Sequence, residues 1–210
     1  MRRDEVRDVI LTTKVIAVIR MSDAAKLSRA VEAIRKGGVR AIEITMTTPS
    51  ALEIIADMAR GKPSGTLIGA GTVLDAATAE QVIRAGAEFV VSPITNFDMI
   101  QACRRNGTFV APGALSPTEI MAAWEKGADV VKVFPATSVG PKYFRDLKGP
   151  LPQVRLMPTG GVSLENAREF IRCGACCVAI GTALLDKTAI AAEDWGFLTE
   201  KAKALVESLR

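Results

Sequence analysis

Short apolar runs recur along the 210-residue chain, and each is followed by a stretch whose apolar residues fall at helical spacing. The runs occupy residues 15–19, 41–45, 67–71, 89–92, 109–111, 130–134, 155–158 and 177–181. Each is apolar at consecutive positions, as expected of a strand covered on both faces. Strand and helix in alternation imply parallel strands joined by right-handed crossovers, and eight such units favour a closed (β/α)8 TIM barrel. A surplus segment, residues 4–12, places Val6, Val9 and Ile10 at helical spacing and is expected to cap the bottom of the barrel. No linker interrupts the pattern, so residues 1–210 are expected to form a single barrel domain. An open doubly wound sheet is the alternative. It lacks support because Arg20-Met-Ser-Asp23 follows the first run, where a Gly-x-Gly-x-x-Gly turn would be needed.

Helix boundaries punctuate the repeat. Pro49 after Thr48 reads as a first-turn proline behind an N-cap, with Gly61 past the far end of that helix. Asp75 is placed to cap a helix that ends before Gly86, and Ser116-Pro-Thr-Glu119 is a capping box whose helix stops at Lys126-Gly127. Ser163 is expected to open a helix that Gly174 closes.

Composition removes several function classes. Apolar residues make up 49% of the chain, which excludes a disordered or low-complexity protein. The net charge of +4 comes from interspersed signs without a basic stripe, so no nucleic-acid partner is expected. No apolar stretch reaches membrane-spanning length, and Met1-Arg2-Arg3-Asp4-Glu5 places acids where a signal peptide would begin its apolar run. A soluble, cytoplasmic protein without a membrane partner is the expectation. Histidine is absent, so proton transfer falls to carboxylates, lysine, tyrosine, cysteine or water, and neither a Ser-His-Asp triad nor histidine-ligated zinc is available. Cys173-Gly-Ala-Cys176 has redox or metal-ligand spacing, but it straddles a helix end and enters an apolar strand. With Cys103 and Cys177 it reads as reduced cysteine used as a small core residue. Neither a metal nor a cofactor is expected.

In barrels of this kind the chemistry sits where the strands end. Those positions hold Arg20, Glu43 with Thr45, Thr72, Ser92-Pro93, Pro112-Gly113, Lys132 with Phe134, Thr159-Gly160-Gly161 and Gly181-Thr182. Only Arg20, Glu43 and Lys132 are charged. Lys132 lies inside Val130-Val-Lys-Val-Phe134, where an ammonium is costly to bury. Such a lysine is either a structural ion-pair partner or an amine of lowered pKa able to form a Schiff base. Glu43, inside Ala41-Ile-Glu-Ile-Thr45, is correspondingly an ion-pair partner or a carboxyl raised toward the range useful for proton transfer. Thr159-Gly160-Gly161 before the Ser163 helix start, with Gly181-Thr182 after the last strand, reads as a phosphate cradle of backbone N–H groups, or as two ordinary glycine turns.

The residues then resemble a known family, the class I 2-keto-3-deoxy-6-phosphogluconate (KDPG) aldolases, which also act on 4-hydroxy-2-oxoglutarate. The likeness runs from Val15-Ile-Ala-Val-Ile-Arg20 to Gly181-Thr-Ala-Leu-Leu185. It rests on Gly38-Val-Arg-Ala-Ile-Glu-Ile-Thr45, Ile68-Gly-Ala-Gly-Thr-Val73, Phe89-Val-Val-Ser-Pro93, Pro112-Gly113, Val131-Lys-Val-Phe-Pro135 and Pro158-Thr-Gly-Gly-Val162. It implies that Lys132 forms the Schiff base and Glu43 transfers protons. Thr72 would help hold the pyruvate carboxylate, with Pro93 and Phe134 also in the substrate site. Phosphate would fall to Gly160, Gly161, Gly181 and Thr182. Thr159 matches the threonine of KDPG-type members, a residue tied to stereochemistry at C4, whereas phosphogalactonate aldolases tend to carry an apolar residue there. Two departures stand out. Thr47 occupies the place of a carboxylate-binding Arg of some members, and Arg20, which matches an Arg that others carry at the end of the first strand, is expected to take the anion-binding role instead. Thr182 stands where serine is usual.

The resemblance implies cleavage of a phosphorylated keto acid to pyruvate and glyceraldehyde 3-phosphate without a metal, in a cytoplasmic homotrimer. Two readings from other classes compete: a phosphosugar isomerase or epimerase, and a non-catalytic phosphometabolite-binding barrel. The first normally needs two acids and often a metal, and only one rim carboxylate is evident. The second remains open because fold alone never implies reaction.

Overall fold

The computed structural model describes residues 2–21 and 23–210; Met1, Ser22 and the side chain of Ala24 lie outside the described residues, and with them part of the N-terminal and Arg20–Asp23 readings. The strands are β1 (Val15–Ile19), β2 (Ala41–Thr45), β3 (Leu67–Gly71), β4 (Phe89–Val91), β5 (Phe109–Ala111), β6 (Gly113–Ala114), β7 (Val131–Val133), β8 (Leu156–Pro158) and β9 (Val178–Ile180). The helices are α1 (Arg3–Thr13), α2 (Ala24–Lys36), α3 (Ala51–Gly61), α4 (Ala76–Arg84), α5 (Phe97–Arg105), α6 (Pro117–Glu125), α7 (Gly140–Lys148), α8 (Ala167–Arg172), α9 (Lys187–Ala191) and α10 (Trp195–Ser208). This is an α/β fold in which every strand pairing is parallel.

The strands form two sheets, ordered β5-β4-β3-β2-β1-β9 and β6-β7-β8. One continuous eight-stranded ladder was the expectation, and the difference centres on Pro112. Proline has no N–H to offer a ladder. On either side of it, β5 pairs with β4 while β6 pairs with β7. The carbonyl of Pro112 still accepts from Lys132 N–H at 2.9 Å. At the other border a single parallel bridge joins Thr159 to Ala179 of β9.

Period-two alternation sorts the strand residues onto two faces. Val15, Ala17, Ile19, Ile42, Ile44, Ile68, Ala70, Val131, Val133, Val178 and Ile180 pack in the large core shared with the helices. Ile16, Val18, Ala41, Leu67, Phe89, Phe109, Val130, Met157, Cys177 and Ala179 form a second, smaller cluster on the opposite face. Both faces are therefore buried, which is why the strands read as unbroken apolar runs. Val6 and Ile10 of α1 join the smaller cluster. Asp129, just before β7, ties that helix down: its carboxylate accepts from Arg3 Nε at 2.9 Å and from the Val110 N–H at 2.9 Å.

Most helix boundaries fall where their signals stand. The Asp75 side chain accepts from Thr78 N–H, and Gly86 adopts a φ of 104° past the C-cap Ala85. Ser116 and Glu119 close the capping box of α6, and Gly174 at φ 102° follows α8. Two expectations are corrected. Ser50, not Thr48, is the N-cap of α3, and Gly61 is that helix's last residue; the Thr48 hydroxyl instead lies 3.3 Å from that of Thr45. Ser163 does not open a helix. Its N–H donates to Asn166 Oδ1, whose Nδ2 donates to the Gly161 carbonyl, and this loop delays α8 until Ala167. All four cysteines are free. Burial, and then the Asp129 carboxylate, pushes the Cys103 thiol up to about 12, consistent with a small apolar role.

Asp129→Ala is expected to lower the stability of the fold by about 2–4 kcal/mol, because it leaves the buried Val110 N–H without its acceptor and removes the ion-pair partner of Arg3, which keeps only the Gly127 carbonyl. Urea unfolding checks this; a midpoint equal to that of the unsubstituted protein would show that α1 is held by apolar packing alone.

Candidate active site

Continuing the alternation of the smaller cluster toward the strand C-termini leads from apolar to polar side chains. Ala41 is followed on its face by Glu43 and Thr45, Val130 by Lys132 and Phe134, and Met157 by Thr159. Val18 leads to Arg20, and Ala179 to Gly181, by the same step. The strand register sets Val18 beside Glu43 and Glu43 beside Gly69 in the larger sheet, and Gly113 beside Lys132 and Lys132 beside Met157 in the smaller. Glu43, Lys132 and Arg20, distant in the chain, come near enough to act on one another's charge.

Lys132 is only 5% exposed. Burial pulls its pKa below the ordinary lysine range, the Glu43 carboxylate opposes that fall, and the positive charge of Arg20 adds to it. Its Nζ sits 5.0 Å from the centroid of the Phe134 ring, an aromatic face that tolerates a cation yet offers no proton acceptor. Glu43 is 1% exposed. Burial raises its pKa, against the lowering influence of Lys132 and then of Arg20. Each group therefore feels the other's charge, and desolvation is the largest cause at both. An amine pushed toward neutrality within the field of a carboxyl pushed toward protonation supplies a nucleophile and a proton-transfer group together.

Among the described residues, the buried side-chain oxygen or nitrogen atoms without a hydrogen-bond partner in the protein are Glu43 Oε2 and Thr159 Oγ1. Leaving such atoms unpaired costs about 1–3 kcal/mol each, so their coincidence on one rim calls for a functional reason. Gly71 explains how the carboxyl is accommodated. A Cβ at that position would overlap Glu43 Oε1, so only glycine leaves the carboxylate its room. This contribution was missed from sequence, although glycines at 69 and 71 within a strand signal a close approach.

The remaining candidates lie at the ends of their strands, and neither cavity they line includes Glu43 or Lys132. Thr72 adopts a φ of 58°, left-handed backbone that a β-branched residue rarely takes, directly after β3. Pro93 and Phe134 line a common cavity of 430 Å³ with Gly113. Arg20, Gly181 and Thr182 line a second cavity of 430 Å³. Gly160 and Gly161, at φ 87° and 71°, follow Thr159, whose bridge to Ala179 brings their turn beside the Gly181–Thr182 turn. Thr47 is exposed, and its hydroxyl lies 3.1 Å from that of buried Thr45. Among the described residues no three Cys, Asp or Glu side chains gather as a metal site, and no helix is long and apolar enough to cross a membrane.

Comparison with known proteins bears on this geometry. Residues 6–200 match the family model described as "KDPG and KHG aldolase". The 2-dehydro-3-deoxy-phosphogluconate aldolase of Treponema pallidum is 38% identical, over 88% of this chain and 87% of that protein. The KHG/KDPG aldolase of Escherichia coli is 32% identical, over 96% of this chain and 95% of its own length. A crystal structure of KDPG aldolase from Legionella pneumophila, with pyruvate captured as a covalent carbinolamine intermediate, superposes with a TM-score of 0.87 at 30% identity. That likeness covers 95% of this chain and 97% of the other.

The electrostatics make a signed prediction for Lys132. Its amine is expected to titrate below the ordinary lysine value, lower still in Glu43→Gln and higher in Arg20→Met. Isotopic reductive methylation followed by NMR titration reads each value. A Lys132 signal that ignores both substitutions would separate the three charges.

Proposed function

The chain belongs to the KDPG and KHG aldolase family, and from that we propose that Lys132 is the amine that captures the substrate ketone and Glu43 the group that moves its protons. The protein is an aldehyde-lyase acting on KDPG, which it cleaves to pyruvate and glyceraldehyde 3-phosphate; 4-hydroxy-2-oxoglutarate is a second substrate in this reading. The observation that carries the assignment of residues is the pair of unpartnered buried atoms, Glu43 Oε2 and Thr159 Oγ1, on the rim that also holds the desolvated Lys132 amine.

The steps follow from these positions. Unprotonated Lys132 adds to C2 of the keto acid, and the carbinolamine hydroxyl leaves as water with the proton of the Glu43 carboxyl, which gives an iminium, an electron sink for the bond to be broken, and a Glu43 carboxylate. Glu43, directly or through a water, takes the proton of the C4 hydroxyl as the C3–C4 bond breaks, and glyceraldehyde 3-phosphate departs. An enamine of pyruvate remains on Lys132. Glu43 or its water returns a proton to C3, and hydrolysis of the iminium frees pyruvate. No metal enters, since the iminium already withdraws the electrons. One carboxyl serves each proton transfer, in keeping with a chain without histidine.

Around the pair, Thr72 helps hold the carboxylate of the pyruvate portion, Arg20 takes an anion of the substrate, its carboxylate or its phosphate, and Pro93 and Phe134 complete the substrate site. Gly160, Gly161, Gly181 and Thr182 receive the phosphate. The unpartnered hydroxyl of Thr159 is free to bond the C4 hydroxyl, which favours the gluconate over the galactonate epimer. We read the two sheets as arcs of one closed (β/α)8 barrel, a single domain with α1 across its bottom. The short Pro112 interval between β5 and β6, the Thr159–Ala179 bridge and the burial of Val6 and Ile10 support this. Exposed Leu74, Ile94 and Phe97 offer apolar surface for contacts between copies in a homotrimer, a state that light scattering checks.

Incubation with pyruvate followed by borohydride is expected to add covalent mass at Lys132. An unlabelled Lys132 rejects the Schiff base. Glu43→Gln is expected to form the same adduct while losing about 10²–10⁴-fold in turnover; undiminished cleavage by that variant would remove Glu43 from proton transfer.

A further inference from the structure

One cavity at the strand ends carries two charges, those of Lys26 and Lys187, to which the reaction at Lys132 assigns no part. It measures 430 Å³ and lies where β1 and β9 end, and three cationic side chains line it: Arg20, Lys26 and Lys187. They come from separate parts of the chain, Arg20 after β1, Lys26 in the first turn of α2 and Lys187 at the start of α9. Among the described residues none of the three forms an ion pair within 4 Å, and no acid lines the cavity. Nearby carboxylates are otherwise engaged. Asp186 accepts from two N–H groups of α9 and pairs with Lys201 at 3.4 Å, while Asp23 accepts from the Lys26 N–H as the cap of α2.

Three like charges lining one hollow repel one another, and the apolar Leu185 and Ile190 in the same lining offer them no counter-charge. Such an arrangement is relieved by a multiply charged anion. The cavity is also continuous in charge with the catalytic pair, because Arg20 lines it and its field reaches both Lys132 and Glu43. Thr182 adds a hydroxyl to the same lining.

We propose that Lys26 and Lys187 are specificity-determining residues that grip a phosphate dianion at the far end of the substrate, so that the enzyme selects phosphorylated keto acids over those ending in a carboxylate. This deepens the reading of the site given above and rests on it. A phosphate dianion presents three acceptor oxygens to donors converging from several directions, and it neutralises two charges. A terminal carboxylate presents two oxygens and neutralises one. The glycine turns supply N–H groups of fixed position, whereas the lysines supply the net charge that separates dianion from monoanion.

The test compares kcat/KM for KDPG and for 4-hydroxy-2-oxoglutarate in the unsubstituted protein, Lys26→Met, Lys187→Met, the double variant and Lys187→Arg. Each methionine variant is expected to lose about tenfold on KDPG, mainly through KM, and the double variant about a hundredfold. The non-phosphorylated substrate should change less than threefold, and Lys187→Arg should restore most of the KDPG preference. Inorganic phosphate serves as a probe independent of catalysis, with its Kd expected to rise about tenfold per lysine removed. An unchanged ratio between the two substrates, or unchanged phosphate binding, overturns the proposal. Borohydride trapping of pyruvate on the unsubstituted protein is read separately: its absence removes the Schiff-base reading, while the phosphate titration still decides the fate of the two lysines.

Discussion

Water is kept from an amine and a carboxyl that share one interior, and neither fully compensates the other. Desolvation outweighs their mutual attraction at both groups: the amine of Lys132 is driven toward its neutral form and the carboxyl of Glu43 toward its protonated form. A fully formed buried ion pair would have left Lys132 a poor nucleophile. The strand register, the glycine at 71 and the aromatic face of Phe134 each act on this balance. Gly71 admits the carboxyl, and Phe134 accompanies the amine without taking its proton.

That balance depends on strands buried on both faces. Residues facing the helices supply the bulk of the core, while the opposite face of the same strands forms a narrow apolar plug around Phe89 and Phe109. Polar side chains are tolerated only past that plug, toward the strand C-termini. The rim is therefore built as the continuation of an apolar column, and the column stiffens the backbone from which Glu43 and Lys132 project. At the opposite end α1 contributes Val6 and Ile10 to the plug and is anchored through Arg3 to Asp129.

Much of the fold was legible because its local signals agree. Caps at Asp75 and Ser116 stand where their helices begin, and the apolar runs differ from the observed strands by a residue or so at their ends. The misreadings share a cause. At Ser163 and at Thr48 a residue with good capping chemistry lies near a competing partner, and the outcome depends on which neighbour the fold supplies: Asn166 in one case, the Thr45 hydroxyl in the other. Pro112 was visible as a strand-end residue, yet its effect on the ladder depends on which strands flank it.

By itself the sequence determined the alternation of elements, the chemical types available for catalysis and the presence of two costly charges inside apolar strands. These are properties of residues and their near neighbours, and periodicity and transfer energies suffice to read them. Only the tertiary structure decided that Lys132, Glu43 and Arg20 act on one another's charge, that Gly71 makes the space for the carboxyl, and that Lys26 and Lys187 line the cavity Arg20 lines. Those are relations between strands and helices far apart in the chain. They depend on register and on how strands and helices pack, which no short window of sequence contains.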